Sequence, residues 1–195
     1  MEQPWQSCSC IGGWHYTTSV YENNWYKSAS DVAKLLIDIV SKNGNLLLSV
    51  PLRADGTFDE KEEKTVDADE VDLDKVDINN TRPWEVFGEG PIAEADIKIN
   101  AQGFNEGAYS KATAQEIRFT QTKKDLYATV LAWPENGNVV IKSLAADSKL
   151  FPQKIRKVEL LGYGSVRFSR TAEGLSINLP KNKLNNVAPV FKIKK

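Results

Sequence analysis

Histidine occurs once in this chain, at His15, and methionine only at position 1. One histidine beside a Cys-x-Cys pair lacks the ligand number and spacing of a zinc site, so no metal is expected. Cysteine is nearly as scarce. Cys8 and Cys10 are the whole supply, which excludes a disulfide framework and reads as two free thiols. Long apolar runs are missing. Stretches such as Leu46-Leu47-Leu48 are far too short to span a bilayer, so no membrane partner is expected. An excess of one charge is missing too. The formal net charge is −1, and nothing in it points to nucleic acid. Met1-Glu2-Gln3-Pro4-Trp5 has neither the basic start nor the apolar centre of a signal peptide. Gly12-Gly13 and Gly162/Gly164 do not sit between a strand and a helix as a phosphate loop requires. Asp67-Ala68-Asp69 and Asp72-Leu73-Asp74 lack the turn glycine and the alternating ligands of a calcium loop. No cofactor is expected.

What is present is concentrated at the start. The segment PWQSCSCIGGWHY, residues 4–16, holds Trp5, Trp14 and Tyr16, the histidine, both cysteines and a Gly-Gly pair. Aromatic faces, polar tips and close backbone approach together serve ligand binding on an ordered loop. Such a segment at an extreme end, where chains usually fray, implies that further sequence precedes it.

Residues 28–44 read as a helix. Ser28 and Asp31 resemble a capping box with Asp in the usual Glu position. Val32, Leu35, Leu36, Ile39 and Val40 form one apolar stripe, and Asn43-Gly44 is a left-handed stop. Asn45 to Val50 reads as a parallel strand buried on both faces, with no partner strand evident. Asp55-Gly56-Thr57 marks a turn, and a short helix is expected at about 59–66. Residues 55–77 carry eleven acids against three bases, so a solvated, poorly fixed stretch should follow that helix.

After Trp84 the periodicity becomes alternating. Ile97/Ile99, Ile117/Phe119, Tyr127/Thr129/Leu131/Trp133, Val139/Ile141, Val158/Leu160, Val166/Phe168, Leu175/Ile177/Leu179 and Val190 mark short strands separated by turn residues. That spacing predicts an antiparallel β-sandwich able to fold by itself. The division is then α/β over 1–80, a linker at 81–91 and the sandwich over 92–195. Residues 1–80 should be poorly ordered, because their helix stripe and lone strand lack partners.

PWQSCSCIGGWHY (4–16), YENNWYKSA (21–29), SKNGNLLLSVPLRADGTFDEKE (41–62) and TRPWEVFGEGP (81–91) resemble the end of the catalytic barrel of the α-L-fucosidases of glycoside hydrolase family 29, most of all the Bacteroides-type members. LYATVLAWPENGNVVIKSL (126–144) is similar to the carboxyl-terminal sandwich of the same enzymes. The fold implied is the last part of a (β/α)8-like barrel followed by that sandwich. A full barrel takes about 250 residues, and only its last two βα units have counterparts here.

The implied reaction is retaining exo-hydrolysis of terminal α-L-fucose by two carboxyl groups. The implied partners are fucosylated glycans or glycoconjugates. The implied location is periplasmic or secreted for the full-length parent. The nucleophilic Asp of relatives lies in a segment like LWFDG, which this sequence lacks, so the chain alone should be inactive. A His-His-Gly sugar-binding segment is also lacking. Trp14 aligns with the aromatic of the WGY or FGY motif that packs on the fucose ring and its methyl group. His15 and Tyr16 flank it as further pocket residues. Where some members carry the acid/base Glu, this chain has Gln6, leaving Glu2 as the candidate acid/base, or else a residue upstream. A second reading stays open, in which the sandwich is a non-catalytic carbohydrate-binding or stabilising module. The sequence leaves the oligomeric state undetermined.

Overall fold

The computed structural model describes residues 3–67, 81–95, 112–184 and 187–195. Strand β1 (Trp5–Cys10) and strand β2 (Gly44–Ser49) pair in parallel, with Trp5 opposite Gly44 and Cys10 opposite Ser49. The expected lone strand therefore has a neighbour. Its neighbour escapes pattern reading because the alternation in WQSCSC is between serine and cysteine, not between polar and apolar residues. Alternation along β1 puts Trp5, Ser7 and Ser9 on one face. Ser7 and Ser9 are buried. Cys8 and Cys10 share the opposite face as free thiols.

Short helix α1 (Thr18–Asn23) ends at Asn24, which takes φ +55°. Helix α2 (Ala29–Ser41) begins as the sequence predicts. The Asp31 N–H donates to Ser28 Oγ at 3.1 Å, and Ser28 Oγ–H donates back to the Asp31 carboxylate at 2.7 Å. The helix stops before Asn43, which takes φ +66°. Trp5 and β2 lie against its end. The Trp5 indole N–H donates to Lys42 O at 2.9 Å. Gly44 allows this approach, since a Cβ there would stand 2.6 Å from Ile39 Cγ2 and 2.7 Å from Trp5 Cε2.

The sequence predicts β2 buried on both faces, but Leu47 is 54% exposed. One face lies against α2, and the other, with Gln6, Cys8, Asn45 and Leu47, is covered by no described element. Helix α3 (Glu60–Val66) matches the expected short helix. Asp59 caps it by accepting from the N–H groups of Lys61 and Glu62, both at 2.8 Å. The acidic stretch that follows and the predicted strand at Ile97/Ile99 lie outside the described residues.

Residues 81–91, read as a linker, are instead largely a strand. Strand β3 (Arg82–Glu89) pairs antiparallel with β4 (Ile117–Gln121) and forms the edge of a sheet. A four-residue helix, α4 (Pro91–Glu94), follows β3. The sheet continues through β5 (Asp125–Val130), β11 (Val190–Lys194), β7 (Lys157–Leu160) and β8 (Gly164–Ser165), every described pair antiparallel. A second antiparallel sheet has the order β6 (Asn138–Ile141), β10 (Gly174–Asn178), β9 (Phe168–Thr171).

One core lies between the two sheets. Ile117, Phe119, Leu126 and Phe191 of the first pack with Val139, Ile141, Leu175 and Ile177 of the second. Trp84 stands edge-on to Phe119 at 5.0 Å between ring centroids. The outer face of the larger sheet is also covered. Ala33 and Ile37 of α2 pack with Tyr127, Leu131, Val187 and Val190. The helix expected to lack partners thus has one on each side, β1–β2 and the six-stranded sheet, and it meets the sheet through Ala33 and Ile37, which lie outside the predicted stripe. The two parts of the chain share this second core.

Candidate functional site

Because β1 and β2 run in parallel and in register, their carboxyl ends lie side by side. The ladder extends one step further, with Ile11 N–H donating to Ser49 O at 3.1 Å. The loops that leave there, 11–17 and 50–59, emerge on the same edge. Binding residues of α/β folds collect at that edge.

The first loop is anchored at its base and open at its tip. Ile11 is buried. Its carbonyl accepts from Lys27 N–H at 2.8 Å, while Lys27 Nζ donates to Cys10 O at 2.6 Å. Gly12 is held against α1 and Tyr26, and a Cβ there would stand 2.7 Å from Val20 Cγ1. At the tip Trp14 is 56% exposed, and His15 is exposed beside it. Tyr16 is half-buried. Of the residues singled out from sequence, Trp14, His15 and Tyr16 therefore share one loop end. Glu2 lies outside the described residues.

The second loop supplies residues that motif reading passes over. Its turn closes through Gly56 N–H to Arg53 O at 2.9 Å, with Gly56 at φ +83°. The hydroxyl and N–H of Thr57 donate to the Asp55 carboxylate and hold its pKa below the ordinary value. Arg53 reaches back across the site. Its guanidinium lies 5.9 Å from the ring centroids of both Tyr16 and Tyr21. Nη2 donates to Glu60 Oε2 at 2.9 Å, and Nη1 donates to Phe58 O at 3.2 Å. The Tyr21 hydroxyl donates to the other oxygen of Glu60. That bond, with the backbone and Arg53, lowers the Glu60 carboxyl to about 2. Arg53 thus ties the loop bearing Trp14 to the loop after β2.

Beneath Arg53 sit two buried carboxyl groups. Burial by itself would raise Asp59. The hydrogen bond from Tyr26 at 2.6 Å and those from the N–H groups of Glu62 and Lys61 outweigh it, so Asp59 stays below the ordinary value. Burial, then the charge of Asp59, pushes Glu62 up. Glu62 Oε2 has no hydrogen-bond partner. The acid-rich composition of this stretch conceals that these two carboxyl groups face inward. The only signal in the sequence is the position of Asp59 as N-cap and of Glu62 three residues later.

The family profile described as Alpha-L-fucosidase matches residues 1–68, and that described as Alpha-L-fucosidase C-terminal domain matches residues 110–194. The chain belongs to the α-L-fucosidase family. Its members are glycoside hydrolases. Among solved structures, the α-fucosidase of Thermotoga maritima in complex with a mechanism-based inhibitor is 22% identical, with a TM-score of 0.74 over 100% of this chain and 40% of that one. Isoenzyme 1 of Paenibacillus thiaminolyticus is 20% identical, with a TM-score of 0.64 over 98% of this chain and 39% of that one. A bacterial fucosidase with a monovalent iminocyclitol inhibitor is 16% identical, with a TM-score of 0.69 over 98% of this chain and 38% of that one. At such identities the likeness is one of fold. The chain spans about two-fifths of the length of these structures. A search of curated proteins returned no match.

Proposed function

We propose that this chain is the carboxyl-terminal part of a retaining exo-α-L-fucosidase of the Bacteroides type, acting on terminal α-L-fucose of fucosylated glycans in the periplasm or outside the cell. The observation that carries the reading is the match, in order along one chain, of the two α-L-fucosidase profiles. A T. maritima relative has been solved with fucose bound.

The geometry supports a barrel end followed by the sandwich. β1 and β2 are adjacent parallel strands with α2 packed on one face, as in a βα layer. Their other face holds Leu47, the two thiols and two amides, and further strands of a barrel would enclose it. Exposed apolar side chains cluster in this part of the chain at Trp14, Trp25, Leu47, Leu52 and Phe58.

Within the site, the exposed face of Trp14 is suited to the methyl-bearing side of a 6-deoxy sugar, which has no hydrogen bonds to satisfy. His15 and Tyr16 extend that wall, and Arg53 holds Tyr16 in place. Retaining hydrolysis needs a carboxylate nucleophile and a carboxylic acid about 5–5.5 Å apart. Glu2 is the candidate acid/base, and the nucleophile belongs to barrel strands outside this sequence. The test is hydrolysis of an aryl α-L-fucoside by the protein that carries this chain with those strands, followed by NMR. Retention releases the α anomer of fucose first. Release of the β anomer first, or no hydrolysis, contradicts the proposal.

A further inference from the structure

The connection between β5 and β6 is a fixed turn. Gly137 N–H donates to Pro134 O at 3.3 Å, Asn138 N–H donates to Asn136 Oδ1 at 3.1 Å, and Gly137 takes φ +67°. Just past β10, Leu179 N–H donates to Gly137 O at 2.9 Å and holds the turn against the end of that strand. Between them lies a hollow of about 460 Å³, within the size range of small-ligand sites.

The hollow has two kinds of lining. Trp133, half-buried against the sandwich core, and Pro134 give it an apolar wall. Asn136, Asn178, Lys181 and Lys183 give it donors, and Glu135 sets one carboxylate against the two ammonium groups. Asn178 Oδ1 is occupied by the amide of Asn138 at 3.2 Å, which fixes the side chain. The NH2 groups of Asn136 and Asn178 and the ammonium groups of both lysines make no hydrogen bond to any described residue. An aromatic wall takes the C–H face of a sugar ring, amide N–H groups take its hydroxyl oxygens, and ammonium groups take an anionic substituent.

From this arrangement we infer that the hollow is a second saccharide site, built by the sandwich alone, for a glycan bearing an acidic substituent such as a sulfate ester or a uronate. It shares no residue with the loops at the carboxyl ends of β1 and β2. It binds whether or not the assembled protein hydrolyses fucosides, so its failure and the failure of the catalytic reading are separate results.

The test is an NMR titration of the 15N-labelled full chain with a sulfated fucan oligosaccharide, the same oligosaccharide desulfated, and inorganic sulfate. The sulfated oligosaccharide shifts the Trp133 indole N–H and the side-chain amides of Asn136 and Asn178 saturably. The desulfated one binds more weakly, and inorganic sulfate leaves the indole signal in place. Lys181→Gln combined with Lys183→Gln weakens binding about tenfold, the scale of lost charge-assisted contacts. Lys149→Gln combined with Lys154→Gln removes the same charge from exposed positions outside the hollow and leaves affinity unchanged. Four results overturn the inference: equal shifts with sulfate alone, which is ion binding only; equal affinity after desulfation; equal affinity in the Lys181/Lys183 variant; or shifts confined to residues 11–17.

Discussion

Arg118 Nε donates to Asp38 Oδ1 at 2.5 Å across 80 residues of sequence, with both side chains almost wholly buried. The pair joins helix α2 to the six-stranded sheet. Arg118 also contacts Glu116 at 3.3 Å, and Asp38 contacts Lys42 at 2.7 Å. Arg118 Nη2 is buried without a hydrogen bond. Removing Asp38 takes the Nε partner from a buried guanidinium and leaves Glu116, at 3.3 Å, to balance its charge. Asp38→Ala is therefore expected to destabilise the chain by about 3–5 kcal/mol, whereas replacing both with apolar residues of similar volume costs far less. Urea unfolding of the two variants measures this. A cost below about 1 kcal/mol for Asp38→Ala would show that the two parts of the chain do not depend on the pair.

Glu62 gives a prediction with a sign fixed by pH. Its pKa is raised in the fold above the ordinary 4.5 by burial and by Asp59. Tyr26 and Arg53 are the other titratable groups near it, and Arg53 opposes the shift. The ionised form is thus penalised in the folded state. That penalty is full above the folded pKa and vanishes below the unfolded one. Glu62→Gln is expected to raise stability at pH 7 by about 1 kcal/mol, the scale of an unmatched buried polar group. The gain disappears as pH falls to about 4. Melting temperatures of both proteins across that range decide it, and a gain that grows on acidification has the wrong sign.

Trp14 separates a binding role from a structural one. It is exposed, so Trp14→Ala should change the stability of this chain by less than about 0.5 kcal/mol. In the assembled enzyme the same substitution is expected to lower kcat/KM about tenfold, from loss of about 1–3 kcal/mol of apolar contact with the sugar. Unchanged kinetics would remove Trp14 from the pocket.

Glu2 is tested by leaving group. In the assembled enzyme, Glu2→Ala should impair substrates with poor leaving groups far more than activated aryl fucosides, and added azide should rescue turnover of the latter. Equal losses on both substrates without rescue would place the acid/base elsewhere.

Much of the fold was legible where local chemistry is self-sufficient. Ser28 and Asp31 mark the start of α2 and Asn43 its stop, because cap bonds and a left-handed residue are local requirements. Alternation located nearly every described strand of the sandwich. β1 was missed because its buried positions are Ser7 and Ser9, and β3 because Arg82 to Glu89 mixes charge, proline and glycine along an edge. The contact between α2 and the sheet could not be read, since Ala33 and Asp38 look like ordinary surface positions until Arg118 arrives from 80 residues away. At the site, the aromatic cluster drew attention to Trp14 and Tyr16. Arg53 did not stand out, because its role comes from two loops brought together by strand pairing.

The most direct measurement is turnover of an aryl α-L-fucoside by the purified 195-residue chain, set beside the same chain extended by the barrel strands that precede it in relatives. The account, in which the nucleophile lies on barrel strands outside this chain, predicts no turnover above a blank for the first and hydrolysis by the second. Clear turnover by the 195-residue chain alone, or none by the extended protein, would contradict it.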